Sequence, residues 1–281
     1  MPDIKTEIRA IEQPRLWRLA MQIEGDAIRA ALWSIVEDSS LRQFTLPLDP
    51  TLSPVKAIEE AVYSTPLLLS DFAKVDVILR TQAYTVVPKG LDEEARQKAL
   101  RYLCLSDDSD QQQEFFHDIE ECSAMVLSSA DDELCGFLAR TFRNPKIHSH
   151  ISVLMRYFGR QSLLGNRAKL YTHLHKSGEN MQVDIVATDS SGRLMLAVTY
   201  GVSTIDDILY YVLASARQSG FNLAQDEILL CGNSGMRDVL MPRLRRYATF
   251  VMPLIFPSAA LRNGREALNA PFPIVILPLC E

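Results

Sequence analysis

"AKLYTHLHKSGENMQVDIVATDSSGRLMLAVTYG", Ala168 to Gly201, decides the fold. Apolar and polar residues alternate along it with the period of a half-buried strand. The alternation breaks twice at turn residues, first at Lys176-Ser177-Gly178-Glu179-Asn180 and then at Ser190-Ser191-Gly192. Three strands in an antiparallel meander satisfy that pattern. A helix follows, capped by Ser203 or Thr204, with Asp206 and Asp207 in its first turn, where the helix dipole favours acids. Its apolar residues Ile205, Ile208, Leu209, Val212, Leu213 and Ala216 fall on one face. The strand "EILLCG" closes the unit, which therefore reads β-β-β-α-β.

The same order is found further toward the N-terminus. "LWRLAMQIE" turns at Gly25-Asp26 into "AIRAALWSIVE", and Asp38-Ser39-Ser40 leads to "LRQFTLPLD". Ser53-Pro54 starts a helix, a hydroxyl cap followed by a proline where no amide bond is lost, and "KVDVILRT" is the next strand. The pattern is duplicated although residue identities barely repeat. Between the copies lie the strand "YTVVP", the helix "DEEARQKALRYLCL", the polar loop "SDDSDQQQEFFHDIEE", the strand "SAMVLSS" and the helix "DDELCGFLARTF". The segment "NPKIHSHIS" and the helix "VLMRYFGRQ" complete this stretch. The expectation is an α/β chain of two halves, 14–160 and 166–281, hinged at Gly165-Asn166. The first half carries a small β-α-β-α subdomain over about 84–160.

Composition narrows the function classes. A net charge of −6 over 281 residues argues against a general nucleic-acid binder, which carries a basic excess. Arg237, Arg243, Arg245 and Arg246 read as a solvated helix face. Five cysteines without CxxC spacing form neither a disulfide framework nor a zinc knuckle, which points to a reducing cytoplasm. The N-terminus lacks the apolar core of a signal peptide, and stretches such as "TFVMPLIFP" are too short to span a bilayer. The pairs His148/His150 and His173/His175 would each share a face on a strand, but neither has a third metal ligand nearby. The acids Asp107, Asp108 and Asp110 lack the glycine and closing glutamate of a calcium loop. No metal site is expected.

A duplicated meander with a crossover helix resembles the RNase H-like fold, and two copies in one chain resemble the actin-like ATPase superfamily. The segments "NRAKLYTHLHK", "STIDDILYYVLASARQSGFNLAQDEILLCG" and "FAKVDVILRTQAYTVVPKGL" are similar to a bacterial domain-of-unknown-function family, DUF3822, of that fold. "AMVLSSADDELCGFLARTFRNPKIHSHIS" is similar to the subdomain of pilus-assembly relatives.

The resemblance implies where a nucleotide would sit: at an acid-glycine turn in each half, and at a glycine turn between strand and helix on the adenosine side. Here the first turn is Glu24-Gly25-Asp26, without the aspartate-x-glycine-threonine order of active relatives. The second is Lys176-Ser177-Gly178, with His173 and His175 in place of an aspartate. The third is Gly232-Asn233-Ser234-Gly235, where Ser234 could serve as a plain helix cap. The turns should face one another across a cleft narrowed by His173, His175 and Asn233. Phosphoryl transfer is mostly charge placement, and these turns place little. The implied function is therefore a non-catalytic scaffold without cofactor. It would bind a protein partner, a second copy of the chain being one option, and neither bind nucleic acid nor span a membrane. The alternative is a divergent nucleotide-binding enzyme.

Overall fold

A computed structural model describes residues 11–103 and 112–280. Its elements are β1 (Trp17–Ile23), β2 (Ala27–Ser34), β3 (Arg42–Pro47), α1 (Pro54–Tyr63), β4 (Lys74–Leu79), β5 (Tyr84–Pro88), α2 (Glu93–Leu103), β6 (Gln112–Ile119), β7 (Ala124–Asp131), α3 (Asp132–Thr141), β8 (Lys146–Ser149) and α4 (His150–Ser162). They continue as β9 (Lys169–Ser177), β10 (Asn180–Thr188), β11 (Leu194–Val202), α5 (Ile205–Gln218), β12 (Glu227–Gly232), α6 (Ser234–Leu244), β13 (Phe250–Pro253) and α7 (Phe272–Ile276).

Two five-stranded sheets share one topology, β3-β2-β1-β4-β8 and β11-β10-β9-β12-β13. In each, the meander is antiparallel and the last two strands run parallel to its first strand. Within 84–160, β5, β7 and β6 form a separate antiparallel sheet, whereas β8 joins the first sheet beside β4. The stretch expected as a polar loop therefore contains a strand, β6. As a sheet edge it is mostly solvated, with polar side chains on both faces, one phenylalanine on each (Phe115 and Phe116), and only Ile119 buried. The acids Asp107, Asp108 and Asp110 lie outside the described residues.

Each sheet buries one face under its own helices. Val55, Ile58 and Val62 of α1 and Phe137 and Leu138 of α3 pack on Leu19, Met21 and Val77. Ile208, Val212 and Ala216 of α5 and Met236, Leu240 and Leu244 of α6 pack on Leu170, Leu174 and Ile185. The opposite faces share a third, central core. α4 fills it with Ile151, Leu154, Met155 and Phe158, and the C-terminal segment adds Phe272, Ile274, Ile276 and Leu277. Phe158 stacks on Tyr171 of β9 at 4.4 Å between centroids, and Phe272 meets Tyr157 edge-on at 5.7 Å.

The caps follow local chemistry. Thr204 and Asp207 form a capping box on α5, and Ser149 caps α4 through the amide of Ser152. Ser53 makes no such bond, so α1 starts on Pro54 alone. At the far end of α4 the buried ammonium of Lys169 donates to the carbonyls of Gln161, Ser162 and Leu164. That places a cation on the negative end of the helix and fixes where β9 begins.

Candidate functional site

The hairpin β9–β10 turns in two residues, and Gly178 takes its first central position at φ +53°, as such turns require. Its tip meets the turn between β1 and β2 directly. The Ser177 hydroxyl donates to Asp26 Oδ1 at 2.6 Å, and a Cβ on Gly178 would come within 2.9 Å of Asp26 Oδ2. Glu24 is buried. It accepts from Gln22 at 2.6 Å and from Arg29 Nε at 3.1 Å, while His175 Nε2 stands 3.5 Å away. Arg29 also reaches Ser177 Oγ at 3.3 Å. Burial alone would raise the Glu24 pKa. The hydrogen bond and charge of His175, the Ser177 hydroxyl and the Arg29 guanidinium more than offset it and hold the carboxyl at about 2. The two acid-glycine turns are thus locked together through their own side chains.

Beside them lies a cavity of about 510 Å³. Of the residues singled out from the sequence, it is lined by Lys176, Gly232, Asn233 and Ser234, by His173 and His175, and by Arg237, which is half-buried rather than on a solvated helix face. Glu24, Gly25, Asp26, Ser177, Gly178 and Gly235 do not line it. Gly232 pairs with Leu174 in register, at φ +88°, and a Cβ there would stand 2.1 Å from the Leu174 carbonyl oxygen. Only glycine lets the chain leave β12 so close to β9. Asn233, not Ser234, caps α6: its Oδ1 accepts from the Met236 amide at 3.0 Å. Ser234 is already the first helical residue, and Gly235 has open space apart from an ordinary contact 3.5 Å from Asn233 Oδ1.

Behind the cavity wall lies a cluster of which sequence reasoning singled out His150 and His173 but not the acid at its centre. Asp184 of β10 is fully buried and accepts four hydrogen bonds. Arg80 donates to Oδ2 at 2.8 Å and His173 Nδ1 to Oδ2 at 2.7 Å. His150 Nε2 donates to Oδ1 at 3.1 Å and Thr199 Oγ1 to Oδ1 at 2.8 Å. Tyr84 in turn contacts Thr199 at 2.9 Å. Every lone-pair site of the carboxylate is used. Burial would raise its pKa, but the Arg80 charge and both imidazoles hold it well below the ordinary range. Burial pushes His150 down as well, and His173 down to about 4, so both rings are neutral near pH 7.

The cluster joins the end of β4, the start of α4 and the strands β9, β10 and β11. Its signal in the sequence was one acid inside an apolar run, "VDIVA"; Asp76 in "KVDVIL" is a second. Asp76 is also buried and takes His148 at 3.1 Å and Lys74 at 3.2 Å. His148 lies on β8 and His150 opens α4, so this pair does not share a strand face. His173 and His175 do share one, with ring centroids 6.3 Å apart.

No helix among the described residues is long and apolar enough to cross a membrane. None of the proteins of curated function matches the sequence. The structure is similar to a Bacteroides thetaiotaomicron VPI-5482 protein with an actin-like ATPase fold and unknown function, at a TM-score of 0.78 and 19% identity. The match covers 96% of this chain and 98% of that one. It is also similar to a chain of the PilM-PilN type IV pilus biogenesis complex, at a TM-score of 0.54 and 14% identity, over 95% and 99% of the two chains. The family model for proteins of unknown function DUF3822 matches residues 10–251. With both sheets and the intervening subdomain inside that match, the chain belongs to the DUF3822 family and has the actin-like ATPase fold.

Proposed function

We propose that this chain is a non-catalytic actin-like module that acts in the cytoplasm by binding a protein partner. One observation carries the reading. The two acid-glycine turns, which by resemblance would hold phosphates and a metal ion, hold each other through Ser177–Asp26 and Arg29–Glu24–His175. A carboxylate already bound to a guanidinium and approached by an imidazole is a poor ligand for a divalent cation, which seeks free oxygens. Lobes tied at that point are also poorly suited to nucleotide-driven closure. The likeness to a chain of the PilM-PilN complex supports a protein partner, since that relative is itself seen in a complex.

The test is phosphate release from magnesium-ATP by the full chain, compared with Glu24→Gln. No release above the buffer blank is expected from either protein. Turnover by the natural chain that Glu24→Gln abolishes would establish the divergent enzyme instead.

A further inference from the structure

The cavity beside the locked turns has an unusual charge for this protein. Among the described residues no aspartate or glutamate lines it, although the chain as a whole carries a net charge of −6. Arg29, Lys176 and Arg237 do line it. Arg29 is occupied by Glu24, and His173 by Asp184. Lys176 and Arg237 remain, the latter in an ion pair with its exposed chain neighbour Asp238. Lys176 is exposed, and its side chain makes no hydrogen bond or ion pair among the described residues. Arg237 has a buried Nε with no hydrogen-bond acceptor; its nearest carboxylate is the exposed Asp238 of its own helix, 3.5 Å away.

The register of β9 against β12 brings these groups to one place. Leu174 pairs with Gly232, so Lys176, two residues on, lies level with Ser234, where α6 begins. The first turn of α6 leaves amides without intrahelical acceptors at that same place, and Asn233 occupies only the Met236 amide. Phe44, Leu254, Phe256 and Phe272 give the cavity an apolar side, alongside polar lining from Gln43, Thr45, His175 and Asn269. A volume of about 510 Å³ suits a small organic molecule.

We propose that the cleft binds a small organic anion, a flat apolar body bearing one compact oxyanion, without a divalent metal. The oxyanion sits against Lys176, Arg237 and the first turn of α6, and the body lies on the phenylalanine wall. A metal has no place in this arrangement, because no carboxylate among the described residues lines the cavity, and Glu24 and Asp26 are already engaged. The proposal stands independently of the protein-partner reading, since a bound anion requires no catalysis.

The probe is 8-anilinonaphthalene-1-sulfonate, an aromatic body with one oxyanion, titrated calorimetrically into the full chain in the presence of EDTA. One saturable site is expected, weakened about tenfold or more in Lys176→Glu and in Arg237→Gln. Adding magnesium in place of EDTA should leave it unchanged. Inorganic phosphate at the dye's concentration, which offers charge without a body, should not displace it. Lys176 is exposed, so its variant keeps the test valid even where Arg237→Gln impairs folding. Equal binding by the natural chain and Lys176→Glu, several weak sites, a requirement for magnesium, or displacement by phosphate would each overturn the proposal.

Discussion

Asp184 shows how much one side chain can be made to hold. Its four donors come from β4's end, α4, β9 and β11, so removing the charge strands Arg80 in the interior. An unpaired buried charge costs about 3–5 kcal/mol, far more than the pair contributes over an apolar replacement. The same cluster sets the response to acid. Its His173 is held at about 4, chiefly by burial, against 6.5 for a free imidazole, and its His150 is lowered as well; outside the cluster, His117 of β6, stacked on His148, is also held at about 4. The unfolded chain therefore binds more protons than the folded one between those values. Stability is full above about pH 6.5 and falls as pH drops toward 4, by up to about 1.4 kcal/mol per pH unit for each histidine. Glu24, held at about 2 against 4.5, adds a loss of the same sign below 4.5. Urea unfolding at pH 7.5, 6 and 5 should follow this slope, and His173→Gln should flatten it. An unchanged slope in that variant would mean His173 is not a neutral buried ring.

Among the elements, the strand-to-helix turn after β12 separates two glycines that look alike in sequence. Gly232→Ala would drive a Cβ into the Leu174 carbonyl and part β12 from β9, and a loss of more than about 2 kcal/mol is expected. Gly235→Ala meets nothing closer than 3.5 Å inside a helix and should be neutral, or stabilising by about 0.5–1 kcal/mol. Thermal melts of the two variants check both. A costly Gly235→Ala would restore a role for the pair as a unit.

The comparison also shows what could be read from sequence. Alternation and turn residues located both meanders, because a strand with one buried face writes its period directly. The caps of α4 and α6 and the strand β6 escaped. Asn233 and Ser234 are both good caps in isolation, and only backbone geometry chooses between them. β6 is an edge strand whose two faces are nearly equally polar. The Asp184 cluster escaped for a different reason. Its members lie as far apart as Arg80 and Thr199, and nothing local marks Arg80 as buried rather than solvated.

At the scale of the whole molecule, the two sheets do not form a hollow clam. Helix α4 and the C-terminal segment fill the space between their inner faces, and that segment supplies Phe272, Ile274, Ile276 and Leu277 to the shared core. The recognisable family sequence nonetheless ends at residue 251. Sequence kinship and cooperative folding thus have different boundaries in this chain, and anyone trimming it by likeness alone would cut inside the folding unit. A chain stopped after Pro257 would uncover Tyr157 and Phe158, both packed on Phe272, and burying such rings is worth about 1.5–3 kcal/mol each. Against a typical total of about 5–15 kcal/mol, that loss should leave a species with strand and helix signals in the far-ultraviolet but no sharp melting transition. A truncated chain that melts as sharply as the full one would show that the final helix is ornament rather than keystone.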